Sequence, residues 1–150
     1  MMISDGPQMN PVHLLLIEDD EVDAEAVQRG FRKQRISNPF TIVGNGVEAL
    51  AKLRETGAGR LPKPYMILLD INMPKMNGLE FLKELRADPE LRRSVVFILT
   101  TSNRDEDKVA AYDAHVAGYL LKSRAGEDFV NLINMLDAYW RIVEFPQESS

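Results

Sequence analysis

The chain contains no cysteine, which excludes disulfides, thiol nucleophiles and thiolate metal sites. Its two histidines, His13 and His115, are too few for a zinc centre unless carboxylates complete it. Positive charge is also in short supply. Lys and Arg number 18 against 23 Asp and Glu, a formal net charge of −5, and the two signs are interspersed. A surface for nucleic acid or for an anionic membrane is therefore not expected. No apolar run approaches the roughly 20 residues of a membrane-spanning helix. The N-terminal MMISDGPQMNP has neither a charged start nor an apolar core, so no export signal is read and a cytoplasmic location is expected.

Apolar material is not lacking. In 150 residues, 45% are hydrophobic, enough for one domain with a sizeable core. Residues 1–11 read as a flexible leader, 12–145 as the folded domain and 146–150 as a flexible tail. Within the domain, Val12 to Ile17, Tyr65 to Leu69 and Ser94 to Leu99 contain short unbroken apolar runs, the mark of strands buried on both faces. Phe40 to Val43 and Gly118 to Leu121 are two briefer strands. Between them, Glu21 to Arg35, the stretch after Gly46, the stretch after Gly78, and Glu127 to Val143 carry apolar residues at helical spacing. Asn103 to Ala114 reads as a weak, charged helix. Strand and helix thus alternate five times, which predicts a doubly wound α/β domain with a five-stranded parallel sheet.

Chemistry gathers where the strands end. Glu18 and Asp19 follow the first strand, Asp70 the third, Thr100 the fourth and Lys122 the fifth. Right-handed crossovers collect these ends on one edge, where ligands bind in open α/β sheets. Pro74 and Gly78 turn the chain away after Asp70 and leave it uncovered. Three carboxylates in one cup repel and raise one another's pKa, and a hard divalent cation such as Mg²⁺ relieves that repulsion. Ionised Asp70 then suits a nucleophile toward phosphorus, with Lys122 and Thr100 meeting the phosphoryl oxygens.

LLIEDD, LLDINMPKMNG, ILTTS and GYLLK resemble, in order and spacing, the receiver domain of two-component response regulators, and the resemblance runs from Val12 onward. It implies a single doubly wound (βα)5, flavodoxin-like domain. By the same resemblance, Asp70 is the phosphoacceptor for a phosphoryl group from a sensor histidine kinase. Glu18 and Asp19 are the acidic pair, Asn72 lends a backbone carbonyl to the Mg²⁺ shell, and Thr100 and Lys122 sense the phosphate. Tyr119 holds the aromatic switch position. Two departures stand out: Ser123 replaces the proline that usually follows the lysine, so a trans peptide and a rearranged loop are expected there, and Thr101 stands where alanine is common.

The finer match is to stand-alone regulators that partner phytochrome-type sensor kinases and often form homodimers. It implies a signalling protein rather than an enzyme and a downstream phosphotransfer protein as partner; Tyr139, Trp140 and Phe145, an apolar run near the end of the chain, are read either as sealing the core or as the homodimer interface. Blander roles are open at several positions: a helix cap for Asp20, core packing for Tyr119 and structural roles for both histidines. Two rival functions are a pseudo-receiver acting by shape alone and an aspartate-nucleophile phosphatase. The latter usually has a second acid where this chain has Asn72.

Overall fold

The computed structural model describes residues 12–71, 78–101 and 115–142, apart from the side chains of 133 and 135–142. Its elements are β1 (His13–Ile17), α1 (Glu21–Lys33), β2 (Phe40–Val43), α2 (Gly46–Leu53), β3 (Tyr65–Asp70), α3 (Gly78–Ala87), β4 (Val95–Thr100), β5 (Gly118–Leu121) and α4 (Ala125–Ile142). The strands form one parallel sheet in the order β2-β1-β3-β4-β5. The helix expected over Asn103 to Ala114 lies outside the described residues. Among the described residues, no helix is long and apolar enough to cross a membrane.

The unbroken apolar runs serve both faces at once, because successive strand side chains point to opposite sides. Leu15, Ile17, Ile67, Leu69, Val96 and Ile98 pack with Leu50 of α2 and with Phe81, Leu82 and Leu85 of α3. Leu14, Leu16, Leu68, Phe97, Leu99 and Leu120 pack with Val27 and Phe31 of α1 and Phe129 of α4. On the second face, Phe31 lies 5.5 Å from Phe40 and 5.0 Å from Phe129, which lies 5.5 Å from Phe97. These rings join two strands to two helices.

Capping sets where the helices begin. Asp20 accepts from the backbone N–H groups of Val22 and Asp23 at 2.8 and 3.0 Å and starts α1 directly after the acidic turn. Asn45 caps α2 in the same way, and Glu48 reaches back to the N–H of Gly44 at 3.0 Å. Several boundaries differ by one or two residues from the sequence expectation, and three of them lie at the edge where the strands end. Asp70 and Thr100 are the last residues of their strands, paired with Leu99 and Leu121. The final helix starts at Ala125, two residues early, because the 3₁₀ turn Lys122–Arg124 runs directly into it.

That early start is possible because α1 and α4 touch through glycines. A Cβ on Gly126 would collide with the carbonyl of Gly30 and reach to 3.0 Å from the Phe31 nitrogen. Those atoms are backbone and do not swing aside. Gly126→Ala is therefore expected to force the helices apart and to destabilise the fold by about 1–3 kcal/mol, read from the midpoint of urea unfolding. An unchanged midpoint would show that the two helices have room to separate freely.

Candidate functional site

Each strand end delivers its residue to one cup. Glu18 follows β1, Asp70 ends β3 and Thr100 ends β4, and all three are buried, with 3%, 4% and 2% of their surface exposed. Asp19 lies beside Glu18 and is exposed. One carboxylate oxygen each from Glu18, Asp19 and Asp70 lies within 4.8 Å of the others. Lys122, directly after β5, brings its ammonium to 2.7 Å from Glu18 Oε1, 3.2 Å from Asp70 Oδ2 and 3.1 Å from Asp23 Oδ2. The contacts to Asp70 and Asp23 are hydrogen bonds donated by Lys122. The Glu18 contact is the shortest of the three, an ion pair to a fully buried carboxylate oxygen.

Among the described residues, four carboxylates, those of Glu18, Asp19, Asp23 and Asp70, gather around one ammonium, so negative charge is in excess. Burial pushes the Glu18 carboxyl up to about 7; the Asp70 anion adds to the rise, and Lys122 and the Asp20 N–H only partly oppose it. Burial alone would lower the Lys122 pKa, but Glu18, Asp70 and Asp23 together hold it above the ordinary lysine value. Three oxygens from Glu18, Asp19 and Asp70, on hard carboxylate ligands, suit a divalent cation of the magnesium type.

A cation entering here must displace the Glu18 proton. Below pH 7, magnesium affinity is therefore expected to fall by as much as about tenfold per pH unit, measured by calorimetry at pH 8, 7 and 6. The sign for stability is the reverse in metal-free protein. A carboxyl whose folded pKa is raised from 4.5 to about 7 favours the fold while it holds its proton; that contribution is full below about 4.5 and lost as pH rises through about 7. A magnesium affinity that stays flat across this range would show that the Glu18 carboxyl is already ionised at pH 6.

The remaining expected residues divide. Tyr119 pairs with Ile98 and packs, half-buried, against the α2/α3 side of the core. Thr101 is exposed in the bend after β4. Asn72, Phe145, and the side chains of Tyr139 and Trp140 lie outside the described residues. Asp20 caps α1 and only its backbone N–H touches the cup, at 3.2 Å from Glu18 Oε2. His13 sits at the far end of β1, 2.7 Å from Thr41 Oγ1. Burial, then the Lys52 charge, keep its pKa below the usual value. His115 lends its carbonyl to Arg86 at 2.9 Å. The only cis peptide among the described residues is Lys63–Pro64, so the bond from Lys122 to Ser123 is trans, as expected.

Sequence reasoning passed over three contributors. Asp23, one helical turn beyond Asp19, reaches Lys122. Asp128 accepts from the Leu121 N–H at 3.0 Å and from Arg124 Nε at 3.0 Å, fixing the backbone just before Lys122. Arg86 donates to the carbonyls of Arg92, Ser94 and His115 at 2.8, 2.7 and 2.9 Å and joins the entries to β4 and β5. The first had a faint signal, an acid in the opening turn of a helix that leaves the acidic cluster. The other two look like ordinary helix-surface charges.

Residues 14–134 match the response regulator receiver domain family. The chain is 37% identical over 131 residues to the response regulator Rcp1 of Synechocystis sp., covering 87% of this chain and 89% of that one. A manganese-bound form of Rcp1 superposes with a TM-score of 0.63 at 36% identity, covering 91% of this chain and 100% of that one. The bacteriophytochrome response regulator RtBRR gives a TM-score of 0.75 at 34% identity, over 93% of this chain and 86% of that one. The phosphorylated cyanobacterial phytochrome response regulator RcpA gives 0.65 at 31%, over 91% and 99%. With its parallel sheet, its acidic cup and these relatives, the chain belongs to the response regulator receiver family.

Proposed function

We propose that the protein takes a phosphoryl group on Asp70 from a sensor histidine kinase and signals by altered contacts with other proteins. The observation that carries this reading is the Lys122 ammonium 3.2 Å from a buried Asp70 oxygen, beside two further carboxylates within ligand distance of one cation. Asp70 Oδ attacks phosphorus, the bond from phosphorus to the donor's leaving atom breaks, and the leaving group departs with that electron pair. Lys122 meets the charge on the incoming phosphoryl oxygens, and the Thr100 hydroxyl, buried at the end of the neighbouring strand, offers them a hydrogen bond. Glu18, Asp19 and Asp70, with the Asn72 carbonyl that the family resemblance adds, would hold a magnesium ion, which would supply charge neutralisation at the same oxygens. The chain's own part is to present one nucleophile, Asp70, with the Lys122 ammonium held beside it.

The kinase partner is of the phytochrome type, a reading supported by relatives described as phytochrome response regulators. A homodimer and a downstream phosphotransfer protein complete the proposal, with the action placed in the cytoplasm. Completeness of the acidic set leaves nothing to favour a pseudo-receiver. The test is incubation with Mg²⁺ and acetyl phosphate. One hydroxylamine-labile phosphoryl group per chain is expected, and its absence with both this donor and a histidine kinase would overturn the reading.

A further inference from the structure

We infer that Asp23 is a positioning residue for phosphoryl transfer, the acceptor that keeps the Lys122 ammonium in front of Asp70 while its other partners are engaged elsewhere. This rests on the reading of Asp70 as phosphoacceptor. A lysine ammonium has three N–H donors and no acceptor, and here it meets three carboxylates at 2.7, 3.1 and 3.2 Å. Two of them, Glu18 and Asp70, belong to the set whose oxygens converge within 4.8 Å for a cation. Asp23 does not belong to that set. Its bond to Lys122 is therefore the one that cation binding leaves intact.

The placement supports this use. Asp23 stands in the first turn of α1, whose start is pinned by the Asp20 cap, and its side chain remains 44% exposed at the rim of the cup. Helix α1 is seated on α4 through the backbone contact of Gly30 and Gly126, and Asp128 of α4 holds the Leu121 N–H. Backbone and side chain of the lysine are thus tethered from two helices that are themselves in contact. A charged hydrogen bond of this kind aims a flexible four-carbon stem that otherwise has many rotamers.

The experiment follows the rate of phosphorylation by acetyl phosphate at saturating Mg²⁺ and donor, the calorimetric Mg²⁺ affinity, and the rate at which an amine-reactive reagent labels Lys122 in the Mg²⁺-loaded protein. Asp23→Ala is expected to slow phosphorylation about tenfold, to change Mg²⁺ affinity by less than about threefold and to speed Lys122 labelling several-fold. Asp23→Glu restores most of the rate. In a Lys122→Met background, Asp23→Ala causes no further slowing, as required of a residue that works through the lysine. Equal slowing in both backgrounds, or labelling that does not change, would overturn the inference. If wild-type protein accepts no phosphate, the assignment of Asp70 fails instead, and the labelling rates still decide whether Asp23 holds the lysine.

Discussion

Asp70→Asn is expected to abolish phosphoryl uptake while leaving the protein folded and its far-UV spectrum unchanged. The amide is nearly isosteric with the carboxylate and its carbonyl still accepts the Lys122 hydrogen bond now made at 3.2 Å. It carries no negative charge to attack phosphorus and is a poor ligand for a hard cation. Loss of the anion also removes one of the influences that raise the Glu18 pKa, so the fold is not expected to weaken. The measurement is the yield of hydroxylamine-labile phosphate after exposure to acetyl phosphate and Mg²⁺, with thermal unfolding recorded on the same samples. An adduct that persisted at wild-type yield would move the acceptor to another carboxylate of the cup, and a variant that unfolded would show that the charge of Asp70 is structural.

The largest effect on stability is expected from Phe31→Ala. Phe31 is fully buried and packs edge-on against Phe40 and at a tilt against Phe129, so its loss removes two ring contacts and opens a void between α1, β2 and α4. Truncation of a buried phenylalanine costs about 3–5 kcal/mol. The site cannot collapse easily, because the glycine contact already holds α1 against α4 at backbone distance. Against a total stability of about 5–15 kcal/mol for a domain, the shift in urea midpoint should be large. A loss below about 2 kcal/mol would mean that α1 tilts inward and refills the space. Because α1 also carries Asp23, such a tilt would disturb Lys122 as well.

Much of the fold was legible in the residues because the physics there is local. Unbroken apolar runs mark strands with no solvent face, and the sheet accordingly shares Leu14 to Ile17 and Ile67 to Leu69 between its two cores. Acids at strand ends stand out because nothing in such a run tolerates a charge without a partner. Asp20 reads as a cap from its place before a helical pattern, and it is one. Boundaries were less legible. Thr100 looked like a residue after its strand, yet the ladder to Leu121 keeps it inside, since pairing is decided by the neighbouring strand.

By itself, the amino-acid order determined the succession of the described strands and helices, the absence of cysteine, and which side chains stand at strand ends. Tertiary structure alone decided that Asp23 meets a lysine 99 positions away, that Arg86 ties the entries to β4 and β5, and that Glu18 is buried, which pushes its carboxyl up from the ordinary value. Periodicity and capping act between neighbours in sequence, so they can be read along the chain. Burial, charge pairing and the approach of two helices through a pair of glycines depend on which surfaces meet, and only the folded packing supplies that.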